Sequence, residues 1–138
     1  MTIAPLFSTL IFTVLAGLHF TWAIRGGSNL SLTVPTQGKT PVFRPTRTAT
    51  VVVALGLLAM AFVSLSALTG WLPPSWIHWG NAAIAVIFLL RTVGDFRYVG
   101  IFKRFRDTPF ARNDTRYYSP LCLLLAVSAA VIAAQTGA

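Results

Sequence analysis

The chain has 138 residues, of which 55% are hydrophobic and only 10% charged. Soluble domains carry about 25% charged residues, so this composition argues against water as the solvent and for lipid. Lys and Arg number 11 against 3 acidic residues, all Asp, giving a net charge of +8. The cations cluster beside apolar stretches and no nucleic-acid-reading motif occurs, so topology and anionic lipid explain them before nucleic acid does.

The first uncharged stretch covers residues 1–24 and stops at Arg25. It resembles a signal peptide only in hydropathy. No Lys or Arg precedes it and no A-x-A site follows, so it reads as a retained helix over about 3–24. Residues 48–90 carry no charge. At 1.5 Å per residue they would make about 65 Å of helix, which suits two crossings of a roughly 30 Å core. Gly70-Trp71-Leu72-Pro73-Pro74-Ser75 supplies the break, predicting helices at 48–71 and 76–94. The last uncharged stretch, 117–138, predicts a fourth helix at 119–136, with Ser119 as N-cap and Pro120 at the first helical position. The expected fold is an all-α integral membrane four-helix bundle, one domain spanning 1–138.

Every charged side chain lies in loops 25–47 and 91–118. The positive-inside rule then puts loops 25–47 and 95–118 in the cytoplasm and both termini outside. Trp71, Trp76 and Trp79 would form the outer aromatic belt, with Trp22, Tyr98, Tyr117 and Tyr118 at the inner one. Small residues at i+4 spacing, Thr9-Thr13-Gly17-Thr21 and Ala126-Ala130-Ala134, predict either close helix packing or a homo-oligomer contact.

In the third loop Tyr98, Ile101, Phe102 and Phe105 recur at i, i+3, i+4 and i+7, with Lys103, Arg104, Arg106 and Asp107 on the remaining arc. The spacing predicts a short amphipathic interfacial helix whose Arg97, Lys103, Arg104 and Arg106 meet anionic headgroups. Thr108-Pro109 predicts a further break.

Leu18-His19-Phe20-Thr21-Trp22 with Gly26-Gly27, Phe43-Arg44-Pro45, the block from Arg91 to Gly100, and the block from Asp114 to Cys122 resemble an uncharacterised family of small bacterial multi-pass membrane proteins, domain of unknown function 3995. The resemblance covers nearly the whole chain. It implies a bacterial cytoplasmic (inner) membrane location and brings no activity with it.

Ionisable groups at membrane depth are costly and mark candidate sites. His19 falls near the inner end of the first helix, Arg91 and Asp95 lie four apart at the inner end of the third, and Asp114 and Arg116 precede the fourth. These five could line one cytoplasm-facing pocket, or form an ion-pair network that only pins the third loop. His78, beside Trp76 and Trp79, reads as a wet interfacial histidine near the opposite face, so a bis-His haem within one protomer is not expected. No metal or other cofactor is called for, and the lone Cys122 reads as a small buried hydrophobe. Gly38-Lys39-Thr40 lacks the first P-loop glycine, and the sequons at Asn29 and Asn113 fall in predicted cytoplasmic loops.

Three functions compete. One is a non-catalytic binding or accessory module. Another is an enzyme acting on a lipid or quinone-like substrate, with His19 and Asp95 or Asp114 as acid/base groups and Arg91 orienting an anion. The last is a small oligomeric transporter. A filled bundle would favour the module, an apolar cavity beside His19 the enzyme, and a polar central channel the transporter.

Overall fold

A computed structural model describes residues 2–26 and 30–137. Gly27 and the Asn29 sequon lie outside them. The elements in order are α1 (Ile3–Arg25), α2 (Leu30–Thr33), β1 (Thr36–Gln37), β2 (Thr40–Pro41), α3 (Arg47–Thr69), α4 (Pro74–Val93), α5 (Pro109–Asn113), a π-helical turn (Asp114–Tyr118) and α6 (Ser119–Thr136). Helices α1, α3 and α4 and the continuous run Pro109–Thr136 are each long and apolar enough to cross a membrane. The protein is a multi-pass membrane protein of the all-α class. Among the described residues, strands are confined to one antiparallel two-residue pair, with Thr36 opposite Pro41 and Gln37 opposite Thr40.

The helices end where local chemistry satisfies their free backbone groups. Thr46 caps α3 by accepting from the Ala49 N–H at 3.1 Å. Pro74 opens α4 at a position that has no need of its missing N–H. The fourth span begins ten residues before the predicted start at 119. Thr108, not Ser119, is its cap, accepting from the Ala111 N–H at 3.1 Å, and Pro109 follows at the first turn. The Thr108-Pro109 signal therefore marks a helix start. The Ser119 hydroxyl is buried without a hydrogen-bond partner among the described residues, and Pro120 sits inside the helix. The π-helical turn accommodates it: the Ser119 N–H reaches back to the Asp114 carbonyl, five residues away.

Helix α1 packs chiefly on α3 and α4 on α6, while weaker α3–α4 and α1–α6 contacts close the bundle. Its core is Phe12 and Ala16 from α1, Leu57 and Ala61 from α3, Ile84 from α4, and Leu125 and Ala129 from α6. Polar contacts tie helices across the apolar interior: Ser8 and Ser128 share a hydrogen bond of 2.8 Å, and Ser64 donates to Asn81 at 3.3 Å. His78 is half-buried and donates to the Ala133 carbonyl at 2.8 Å, linking α4 to α6 instead of standing as a wet interfacial side chain.

The predicted small-residue stripes are mostly not at helix contacts. Thr13, Gly17, Thr21, Ala130 and Ala134 are exposed, and the Thr13 and Thr21 hydroxyls bond carbonyls of their own helix. Large apolar side chains face outward as well, among them Leu6, Leu10 and Val14 on α1. Lipid accepts apolar residues on every face, so hydropathy carries no information about which face packs.

The predicted amphipathic helix over Tyr98–Phe105 is absent. Residues 94–108 form turns and bends instead. Gly94 (φ +85°) and Gly100 (φ +91°) lie against each other, so a Cβ on either would run into the other strand of backbone. Only glycine permits that combination of φ and close approach. The ends of this closed loop are fixed by the Ile101 N–H donating to the Thr92 carbonyl at 2.8 Å. Tyr98 and Phe105, expected on one helical face, still meet, but by stacking across the loop at 5.2 Å.

Candidate functional site

The basic end of the bundle is organised by two carboxylates that act separately. Asp95 lies just past Gly94, the C-cap of α4, so helical i+4 spacing to Arg91 does not extend to it. Its Oδ1 accepts from the backbone N–H groups of Arg97 (2.9 Å), Tyr98 (2.8 Å) and Val99 (3.0 Å). Burial alone would raise the Asp95 carboxyl, yet those N–H donors outweigh it and hold the group below the usual carboxylate value. It is exposed and, among the described residues, makes no ion pair with Arg91. Asp95 shapes a loop.

Asp114 is completely buried at the first residue of the π-helical turn. Its Oδ1 accepts from Arg91 Nη2 at 2.8 Å, and its Oδ2 from Lys103 Nζ at 3.0 Å and the Gly100 N–H at 2.8 Å. Lys103 corrects its predicted place at the headgroups, because its side chain is fully buried. The ammonium spends its three donors on Asp114, the Gly100 carbonyl (2.9 Å) and Thr115 Oγ1 (2.6 Å). Two cations therefore share one carboxylate. The trio carries one excess positive charge, and the Arg91 Nη1 is buried with no hydrogen-bond partner among the described residues. Such an atom normally costs about 1–3 kcal/mol, more for a charged group.

Arg91 also lines a cavity of about 750 Å³ bounded by α1, α3, α4 and the fourth span. Leu15, Met60, Phe88, Phe110, Leu121 and Leu125 supply much of its apolar wall, and His19, Tyr118 and Cys122 add polarisable groups. The half-buried Cys122 thus lines a cavity and is not simply core. His19 donates from Nδ1 to the Leu15 carbonyl at 2.7 Å and packs on Trp22, ring centroids 4.9 Å apart. That hydrogen bond leaves Nε2 as the acceptor of the neutral ring. A second cavity of about 550 Å³ adjoins the first through His19, Trp22, Thr33 and Val53, and continues past Phe43, Arg44, Arg47 and Thr50.

Of the predicted set, the structure brings Arg91 and Asp114 into contact and puts His19 on the same cavity as Arg91. It leaves Asp95 in its loop and Arg116 outside, exposed over the Tyr117 ring at 5.3 Å. Arg116 points away because side chains two residues apart on a helix do not face each other. Sequence reading missed Lys103 and Gly100, since a loop cation among exposed neighbours has no local mark of burial. Arg97, Arg104 and Arg106 remain exposed, with Arg97 lying 5.1 Å from the Tyr98 ring centroid. No group of three or more metal-ligating side chains occurs among the described residues.

Residues 12–129 match the family described as Protein of unknown function (DUF3995). The chain belongs to that family. The segment matched by DUF3995 contains both the Asp114 node and the whole lining of the two cavities. No curated protein and no solved structure matches the chain.

Proposed function

We propose that the protein is a non-catalytic membrane binding module that takes an amphiphile into the larger cavity at its basic end. One observation carries this reading: an apolar cavity between four spans whose lining also includes the cation Arg91. Its volume falls within the usual range for small-molecule sites, roughly 300–1,000 Å³. A hydrocarbon body would meet the leucine, methionine and phenylalanine walls, and the part-exposed Arg91 side chain adds a positive charge at their edge.

The cavity beside His19 is the feature expected of a lipid or quinone enzyme, and it supports that second reading to a limited degree. General acid/base chemistry needs a second group with a proton or lone pair to spare. Asp95 lies in its loop, outside the lining of both cavities, and Asp114 is occupied by Arg91, Lys103 and Gly100. Binding is therefore favoured over turnover.

The charge asymmetry supports a bacterial inner-membrane orientation with the cavity end in the cytoplasm and both termini outside. Phe96 and Phe102 are 63% and 60% exposed beside Arg97, Arg104 and Arg106, an arrangement suited to anionic lipid at that interface. A reporter fused after Gly70 should read the outer compartment and one near Gly38 the cytoplasm; the reverse, or the same compartment for both, sinks the orientation.

The binding test uses Gly56, which lines the cavity within α3 and whose added Cβ would meet open space. Gly56→Leu should fold and narrow the cavity at its α3 wall. Native mass spectrometry from mild detergent should find an amphiphile on the wild type and none on Gly56→Leu. Equal occupancy of both, or none on either, contradicts binding in this cavity.

A further inference from the structure

The two adjoining cavities differ in chemistry. The larger is mainly apolar, with Arg91 at one wall. The smaller is bordered by Arg44 and Arg47, which form no ion pair among the described residues, and by the hydroxyl-bearing Thr46 and Thr50. Neither cavity has a carboxylate in its lining. The acid that pairs with Arg91, Asp114, is also shared with Lys103. The whole paired site is therefore cationic, and its charge is concentrated on guanidinium groups. Guanidinium recognises carboxylate and phosphate oxygens through paired hydrogen bonds.

We infer that the ligand is an anionic amphiphile whose oxyanion head sits in the smaller cavity at Arg44 and Arg47 and whose hydrocarbon passes His19 and Trp22 into the larger one. This rests on the amphiphile-binding reading and adds the charge, position and direction of the head. The shared wall explains how one molecule reaches both: His19, Trp22, Thr33 and Val53 line each cavity. A neutral quinone-like ligand would make no use of Arg44 and Arg47, whose exposed guanidinium groups border the smaller cavity. A free anion would leave the larger cavity without contents.

Trp22 is a reporter already in place. The other tryptophans, Trp71, Trp76 and Trp79, are 62–70% exposed on the loop joining α3 to α4 and the first turns of α4. Replacing all three with Phe leaves one fluorophore, on the wall between the cavities. The full chain in non-ionic detergent is titrated with chain-brominated phosphatidylglycerol or phosphatidylcholine, and quenching of Trp22 is read. The anionic lipid should quench at about tenfold lower concentration, the scale of one or two charge-assisted hydrogen bonds. Arg44→Gln with Arg47→Gln should abolish that preference. Arg104→Gln with Arg106→Gln, an equal charge change on exposed loop residues, should preserve it. Loss of preference in both pairs means diffuse attraction to a basic protein and overturns the inference. If Gly56→Leu stops quenching while Arg44→Gln with Arg47→Gln changes nothing, amphiphile binding stands and the anionic-head assignment falls. If Gly56→Leu changes nothing, both fall. Full competition by inorganic phosphate alone would assign the smaller cavity to a free anion and likewise overturn the inference.

Discussion

Lys103 Nζ lies 3.0 Å from Asp114 Oδ2 with both side chains fully buried, which joins the third loop to the fourth span. Arg91 holds the other oxygen at 2.8 Å. Removing the carboxylate leaves two cations facing each other, whereas removing Lys103 leaves one neutral pair. Asp114→Asn should therefore cost on the order of 3–5 kcal/mol, the scale for breaking a buried ion pair. Lys103→Met should cost clearly less, because the excess charge leaves with it. Unfolding in mixed detergent–SDS micelles gives the order. A Lys103→Met protein less stable than Asp114→Asn would contradict the two-to-one charge count.

Asp95 predicts a pH dependence of definite sign. Burial pushes its carboxyl up, but the Tyr98, Arg97 and Val99 N–H groups prevail and hold it below its ordinary value. A carboxyl depressed in the folded state stabilises fully above its unfolded value, about 4, and loses that contribution as pH falls through the folded value. The stability difference between wild type and Asp95→Asn should be level at neutral pH and shrink below about pH 4. Melting curves from neutral to acid pH measure it. A gap that widens in acid would show that the three backbone contacts do not act on the charge.

Much of the fold was legible because lipid leaves the backbone few choices. Uncharged length set the spans, and Pro73-Pro74 set the break between α3 and α4. Helix faces were not legible: Leu10 and Leu125 look alike in sequence, yet one is 62% exposed and the other fully buried. The third loop failed for a different reason. Its aromatic spacing fits a helix, but Gly94, Gly100 and the three N–H groups turned to Asp95 favour a closed loop. Depth along the chain put Asp114 and Arg91 among the site residues. No local pattern could say that Lys103 would complete them.

The closed loop makes a contrast among glycines. An alanine methyl at Gly94 would strike the Val99 carbonyl, and one at Gly100 the Gly94 backbone, with positive φ strain at both. Each should destabilise by roughly 1–3 kcal/mol or more. Gly56→Ala meets no atom within 4 Å inside a helix, and should gain up to about 1 kcal/mol. Thermal melting of the three variants is sufficient. Equal effects would mean that the Gly94–Gly100 approach does not hold the loop.

The π-helical turn is the last element with a testable consequence, because it sets which way Asp114 faces. A π turn absorbs one extra residue in an α-helix by underwinding, so the segments on either side stay in phase. A further inserted residue has no such turn to absorb it, and everything before it rotates by about 100° relative to α6. Position 116 is the place for the insertion, since Arg116 is exposed and its contact is with the neighbouring Tyr117 ring. Substituting Arg116→Ala keeps the register and should shift stability by no more than about 0.5 kcal/mol. Inserting one alanine after Arg116 should swing Asp114 away from Lys103 and Arg91 and cost about as much as Asp114→Asn, while α6 stays helical by circular dichroism. In an Asp114→Asn background the same insertion should cost little more, because the contacts it would break are already gone. Fully additive losses would show that the insertion destabilises the span by some other route and that the register of the turn does not serve to aim Asp114.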